Sequence, residues 1–456
     1  MPNELPRVPT QGESRAAALD RQHHLHPWES LSYWQESPRQ VISHAEGIYL
    51  VEEGGRRLID GPGGMWCVNI GYGRPEMAQA IADQVAKLPY ASPWTMAHHP
   101  GSDLAARLAS LAPVALNTVM FTTGGSTAVD TALRTMHFLN NRLGRPEKKI
   151  VIAREKGYHG STYLSASVTG KERDRSHFDF ATEQVHILPD VNPLIRPEGM
   201  TEAQWCDAKV ADLERAILTL GPDRVGAFIA EPILCSGGVV IPPEGYHQRT
   251  LEICRRHDVL YISDEVVTAF GRLGHWFASE EVFGIEPDFI TCAKGLTSGY
   301  LPLGACLISD RVLDRMTGAD HDVLFPNGYT YSAHPVCCAA AMANMDIIER
   351  EDLLGHVRRL EPKFQGRLQE LAASPIIGDA RGMGLLGCLE GLTDRGRATP
   401  LAIQRDLGAR LDAACEARGL IVRPLINMCV FSPPLVITEA EIDQMFDILA
   451  DAIDEV

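Results

Sequence analysis

Lys294 ends an apolar run and opens a glycine-rich stretch, ITCAKGLTSGYLPLGA. A lysine delivered there by a buried strand is stripped of hydration, which lowers its pKa towards a nucleophilic amine; at the surface it would be an ordinary solvated cation. Thirty residues earlier, Asp264 closes the run VLYIS and begins DEVVTAFGRLG. An acid at the end of a buried strand needs a partner, and a protonated ring nitrogen would supply one while keeping that ring an electron sink. The competing reading is a helix N-cap, a position that also favours aspartate.

The segment FTTGGSTAVDTALRTMHF sets Gly124, Gly125 and Ser126 directly before a predicted helix whose Val129, Leu133 and Met136 share one side. Backbone N–H groups at such a start, with the Ser126 hydroxyl beside them, suit a phosphate monoester, although a plain turn and cap has the same composition. KGYHG follows the run IVIA and puts Tyr158 and His159 at another strand end, where an aromatic ring can stack on a flat heterocycle. Glu231, in IAEPILCSGG, adds a second acid near the same crevice. Each of these three could instead be a satisfied polar group of the core.

The elements that must position these residues are legible as short apolar runs separated by helical stretches: KIVIA, RVGAFIAEPI, VLYISDEV and DFITCAK. Such alternation predicts a largely parallel sheet with helices on both faces. Ligands of such sheets lie beyond the carboxyl ends of the strands, where Glu231, Asp264 and Lys294 all fall. Nearer the start, residues 48–53 and 56–60 flank Gly54 and Gly55, which predicts a hairpin with both glycines in a primed turn. At the other end, Thr438 and Glu441 form a capping box, and Ile442, Met445, Phe446, Leu449 and Ile453 make one apolar stripe of a last helix.

A chain of 456 residues exceeds one compact core, so two lobes are expected. The 45% apolar and 22% charged content is that of an ordinary globular protein, and no apolar run reaches the roughly 18 residues of a spanning helix. A formal charge of −17 argues against nucleic acid as a partner. Eleven cysteines without a CxxC pair fit reduced thiols in a cytoplasm, and the adjacent Cys337 and Cys338 read as small core residues. The N-terminal stretch has neither the apolar core of a signal peptide nor a transit pattern. His23, His24 and His26 show no acidic or cysteine partner at ligand spacing, so surface or interface histidines are expected and no metal.

Together these motifs resemble the class III, fold type I aminotransferases, and among them the pyruvate-dependent ω-transaminases. The resemblance runs from GGMWCVNIGYGRPEM to the last helix, and the DEVVTAFGR…AKGL pair is its most specific part. It implies an α/β fold with a large, mainly parallel-sheet domain over 66–335 and a smaller α/β domain built from both chain ends, 1–65 and 336–456. It implies pyridoxal 5'-phosphate as cofactor, held covalently by Lys294, with Asp264 on the pyridine nitrogen; these two would be the catalytic residues. Gly125 and Ser126 would bind the phosphate, Tyr158 and Val266 would cover the two ring faces, Glu231 would support the aspartate, and His159 is expected beside them. Thr330, in GYTYSAHP, would reach the phosphate of a neighbouring subunit, implying a homodimer with shared sites, or a tetramer of such dimers.

Three departures from the family pattern bear on function. The usual SGSEAN reads GGSTAV, keeping the Gly125 and Ser126 pair, and Ala333 replaces a glycine after the threonine. Where ornithine and 4-aminobutyrate relatives carry a glutamate that masks an arginine, this chain has Ser236 and Arg381, so Arg381 reads as structural. Arg423, in IVRPLINMCVFSPPLVIT, instead matches the mobile arginine of the pyruvate-dependent enzymes, and Trp66 matches their pocket wall; Trp94 is a looser candidate. The implied reaction moves an amino group from a primary amine or ω-amino acid to pyruvate. The alternatives are a 2-oxoglutarate-dependent transaminase, an aminomutase or decarboxylase on the same scaffold, and a non-catalytic cofactor-binding regulator.

Overall fold

The computed structural model describes residues 14–32, 39–318, 323–394 and 399–456. Near the N-terminus β1 (Ile42–Glu46), β2 (Tyr49–Glu52) and β3 (Arg57–Asp60) pair antiparallel in sequence order. The turn between β2 and β3 differs from the expected one. Only Gly55 takes a positive φ, 84°, and its N–H donates to the Glu52 carbonyl at 2.9 Å, so the chain closes through a longer loop in which Gly54 keeps an ordinary backbone. A two-residue primed turn would have required left-handed geometry at both.

Seven strands make the large sheet: β4 (Thr118–Thr122), β5 (Ile150–Arg154), β6 (Val185–Leu188), β7 (Val225–Ala230), β8 (Leu260–Asp264), β9 (Phe289–Cys292) and β10 (Gly304–Ile308). Their order is β4-β10-β9-β8-β7-β5-β6. β10 runs antiparallel to both neighbours and every other pair is parallel. All residues of β5, β7 and β8 are buried because alternate side chains enter opposite layers. Ile150 and Ile152 pack with Leu213 and Ile217 of the helix Glu202–Leu220. Val151 and Ala153 pack with Val129, Leu133 and Met136 of the helix Gly125–Arg142 on the other face. Burial on both faces is why these strands read as continuous apolar runs.

The C-terminal part holds β11 (Ile377–Met383), β12 (Leu386–Gly391), the short pair β13 (Thr393–Asp394) and β14 (Thr399–Pro400), β15 (Leu420–Ile421), β16 (Arg423–Leu425) and β17 (Met428–Phe431). An antiparallel sheet runs β11-β12-β17-β16. Thr438 caps the last helix, Glu439–Glu455, with the expected capping box, and its apolar stripe is buried against Phe364 and Leu368 of the helix Leu353–Glu370. β15 pairs parallel with β3, Leu420 beside Ile59, so both ends of the chain share one sheet. Cys337 and Cys338 are buried in the helix Pro335–Arg350, and all eleven cysteines are free thiols. No helix among the described residues is long and apolar enough to cross a membrane.

A helix over Arg15–His23 corrects the reading of the N-terminal histidines. Asp20 is the acidic partner that the sequence reading did not find. Its carboxylate lies 3.2 Å from Nδ1 of His24 and 2.9 Å from Nε2 of His26, because one helical turn separates Asp20 from His24 and the chain then bends back.

Candidate active site

Because β4, β5, β7, β8 and β9 are parallel, their carboxyl ends open on one side of the sheet, and the residues that follow each strand meet there. Asp264 is the last residue of β8. Its Oδ1 accepts hydrogen bonds from the Thr291 hydroxyl at 3.1 Å, on the adjacent strand, and from the Val266 N–H at 3.3 Å. Its Oδ2 lies 2.6 Å from Nδ1 of His159. Asp264 and His159 are both about 4% exposed, so the carboxylate is held by partners on three different segments. No helix follows Asp264, which removes the N-cap reading.

Lys294 follows β9 at the start of a 3₁₀ turn and carries a φ of 37°, a strained conformation of the kind kept where surrounding structure enforces it. Protein encloses the side chain except where it faces the pocket, and this burial pulls its pKa below the ordinary lysine range against the opposing pull of Asp264. Glu231, which follows β7, accepts from the Tyr158 N–H at 2.9 Å and from the Cys235 N–H at 3.3 Å. Burial raises its pKa, against the pull of His159.

The helix Gly125–Arg142 starts at Gly125, so Gly125 and Ser126 are its first residues and do not merely precede it. No side chain caps that end, which leaves first-turn N–H groups directed at the pocket. The Ser126 hydroxyl accepts from the Ser161 N–H at 3.1 Å. The approach is tight: a Cβ on Gly125 would stand 3.0 Å from Val266, and one on Gly160 would stand 2.6 Å from the Ser126 hydroxyl.

Trp66 ends a short helix after β3, and Arg423 opens β16 just after β15. The pairing of β3 with β15 places the residues after each strand side by side, and the Gly61 N–H donating to the Ile421 carbonyl at 3.2 Å holds them there. Trp66 is buried, with the Lys294 ammonium 5.7 Å and the Arg423 guanidinium 5.5 Å from its ring. Nε of Arg423 is buried without a hydrogen-bond partner among the described residues, and burial, followed by repulsion from Arg173, lowers its pKa. Trp66, Gly125, Ser126, Tyr158, His159, Glu231, Asp264, Val266, Lys294 and Arg423 thus line one cavity of about 230 Å³.

Comparison with known proteins decides the family. The family model "Aminotransferase class-III" matches residues 32–453. The chain belongs to the class III aminotransferases. It is 38% identical to the putrescine–pyruvate aminotransferase of Pseudomonas aeruginosa over 96% of this chain and 95% of that one. It is 39% identical to the diaminobutyrate–2-oxoglutarate transaminase of Halomonas elongata, over 90% and 89%. Among solved structures, the ω-transaminase of Pseudomonas jessenii in complex with PMP superposes with a TM-score of 0.93 at 34% identity, covering 97% of this chain and 98% of that one.

Class III aminotransferases work with pyridoxal 5'-phosphate, and this pocket fits that group: an uncapped helix start, a buried carboxylate and an enclosed lysine face one cavity. Not every expected residue of this aminotransferase lies in it. Thr330 is exposed and outside the cavity, its carbonyl accepting from the Tyr90 hydroxyl at 2.9 Å. Trp94 is 74% exposed and does not line it either. Arg381 is held by Asp379 and Glu390, each at 2.7 Å, as a structural arginine would be.

The cavity also contains residues that sequence reasoning passed over, notably Trp28, Lys171, Arg173 and Asp174. Trp28 packs its ring 5.8 Å from that of Tyr158, and the Lys171 ammonium lies 5.4 Å over the same tyrosine. Burial pulls the Lys171 pKa down to about 8. The signal available for Gly160 was its place two residues after Tyr158 at a strand end. Loop residues such as Lys171 carry no comparable mark.

Proposed function

We propose that this enzyme transfers the amino group of a primary amine or ω-amino acid to pyruvate, releasing alanine and an aldehyde or ketone. The observation that carries this reading is the state of the two arginines. Arg381 is saturated by two carboxylates, whereas Arg423 lies against Trp66 with a buried, unpartnered Nε in the cavity of Lys294. A guanidinium with open donors grips a carboxylate through parallel hydrogen bonds.

In this reading Gly125, Ser126 and the adjoining N–H groups hold the cofactor phosphate, while Tyr158 and Val266 enclose its ring. Asp264 would meet the ring nitrogen, His159 and Thr291 orient Asp264, and Glu231 fixes the Tyr158 backbone. Bound pyridoxal phosphate supplies the electron sink for the chemistry at the substrate carbon. Lys294 would hold the cofactor, and its amine would move the proton to and from the substrate carbon. Trp66 limits the volume of the pocket wall.

A second acceptor, 2-oxoglutarate, has one observation in its favour: Arg173 lines the same cavity as Arg423, giving two guanidinium groups for two carboxylates. Single-turnover reactions separate the two. The aldehyde form is mixed with putrescine, β-alanine, taurine and an arylalkylamine, and the amino form with pyruvate or 2-oxoglutarate. Faster return of the aldehyde absorbance with pyruvate supports the proposal; preference for 2-oxoglutarate reverses it.

We read the enzyme as a homodimer whose Thr330 serves the neighbouring phosphate. The exposed Tyr90 and Tyr331 support this, since Tyr90 donates to the Thr330 carbonyl and packs edge-on against Tyr331, and exposed large apolar groups beside an exposed Thr330 suit an interface. A cytoplasmic setting is supported by the eleven free thiols.

A further inference from the structure

We infer that Asp20, His24 and His26 bind a divalent transition metal of the zinc class, which joins His26 to the end of the helix Arg15–His23 and so stiffens the segment that carries Trp28. One ligand atom from each residue already lies within 4.8 Å of the other two. A tetrahedral site with bonds near 2.1 Å has ligand atoms about 3.4 Å apart, from zinc–nitrogen and zinc–oxygen distances. The two carboxylate–imidazole separations are 3.2 and 2.9 Å, so a small opening of these contacts makes room for the ion. Oδ1 of Asp20 faces both imidazoles, whose ring centroids lie 4.0 Å apart at an interplanar angle of 35°.

The donor set selects the kind of metal. Two imidazoles and one carboxylate suit zinc and its first-row neighbours and leave a fourth position for water, whereas calcium and magnesium prefer oxygen ligands. Entry is open, since the His24 side chain is 62% exposed.

Position gives the site a consequence. Asp20 and His24 belong to the end of the helix Arg15–His23, while His26 lies beyond it, two residues before Trp28. Trp28 holds a φ of 55°, a costly conformation for a tryptophan, and stacks near Tyr158. A metal joining His26 to the helix would reduce the freedom of the segment that keeps Trp28 there.

The test uses untagged, cofactor-loaded enzyme freed of metal by a chelator. Cobalt(II) is titrated and followed by its visible ligand-field absorption, with zinc as competitor. Wild type is expected to bind one cobalt per chain, and His24→Ala and His26→Ala each to weaken it by at least about 10- to 100-fold, since losing even a group that orients a ligand costs that much. Metal held elsewhere, including by the cofactor, appears equally in all proteins and is subtracted. Zinc should also slow amide exchange across residues 24–32 in wild type by about tenfold or more and leave His26→Ala unchanged. Equal cobalt affinity in wild type and variants overturns the inference, as does binding that leaves exchange unchanged. Asp20→Asn serves as the second variant if an alanine variant loses its cofactor absorbance.

Discussion

Nδ1 of His159 lies 2.6 Å from Oδ2 of Asp264, at the carboxyl end of β8 and away from solvent. Thr291 and Val266 hold the other oxygen, so both carboxylate oxygens are fixed by hydrogen bonds in one orientation. Asp264→Ala should slow the amine half-reaction by roughly 30- to 4,000-fold, because an electrostatic partner of the reacting system is worth about 2 to 5 kcal/mol. His159→Ala removes one of three supports and should cost less. Single-turnover rates check both; a near-normal rate in Asp264→Ala contradicts the ring-nitrogen role.

Lys294 gives two expected outcomes. Borohydride reduction of the loaded enzyme followed by peptide mapping should label Lys294, and label on another lysine removes the assignment. The second concerns stability. Burial holds the folded pKa of Lys294 below its ordinary value. Between that lowered value and about 10.4, the unfolded chain binds one more proton than the folded apoenzyme, so stability rises with pH through this window. Lys294→Met should therefore raise the apoenzyme Tm at neutral pH, with the gap to wild type narrowing as pH approaches 10. Calorimetry at several pH values measures it; a gap that does not change with pH contradicts burial of an ionisable amine.

Gly160→Ala tests the cradle. The added methyl would lie 2.3 Å from the Ser165 hydroxyl and 2.6 Å from that of Ser126, at a glycine φ of 143°. Something must shift, and the helix start carrying Ser126 is among the nearest groups. Cofactor affinity should fall by about tenfold or more, the effect of losing a charge-assisted hydrogen bond of 1.5–3 kcal/mol. Equilibrium dialysis of the cofactor reads the change, and unchanged affinity would separate Ser126 from the phosphate.

What the sequence disclosed follows from how local each feature is. Glu231, Asp264 and Lys294 were legible because each closes an apolar run, and parallel strands bring such ends together. The stripe of the last helix was legible from its period. Trp28, Lys171 and Arg173 were not, because they reach the cavity from loops whose course depends on distant packing. Asp20 and His26 escaped for a related reason: six residues apart, they share no helical face, and only the bend after His23 brings them together.

Thr330 lies outside the cavity of its own chain and is exposed. If it serves the neighbouring phosphate, each site takes its lysine from one chain and its threonine from the other. Thr330→Ala should weaken cofactor retention, and Lys294→Ala should be inactive. Mixed dimers of the two variants should then contain one intact site each and recover activity above either parent. Activity is measured after subunit exchange, and no recovery means that Thr330 acts within its own chain or not at all.

Arg423 carries the acceptor assignment, and its removal separates the two halves of the reaction. Pyruvate brings a carboxylate into a pocket where the Arg423 guanidinium has a buried, unpartnered Nε. A simple amine brings nothing for that group to bind. Leaving a carboxylate unpaired in a desolvated site costs about 2 to 5 kcal/mol, and each 1.4 kcal/mol is about tenfold in rate or affinity. Arg423→Ala should therefore slow the pyruvate half-reaction by roughly 30- to 4,000-fold on that scale. The half-reaction with a carboxylate-free amine should change far less. The Trp66 ring, 5.5 Å from the guanidinium, supplies an internal check, since loss of packing there would disturb both half-reactions alike. The measurement is a pair of single-turnover experiments on wild type and mutant, aldehyde form with amine and amino form with pyruvate. Equal losses in both would assign Arg423 to the pocket wall and remove the main residue-level support for pyruvate as acceptor.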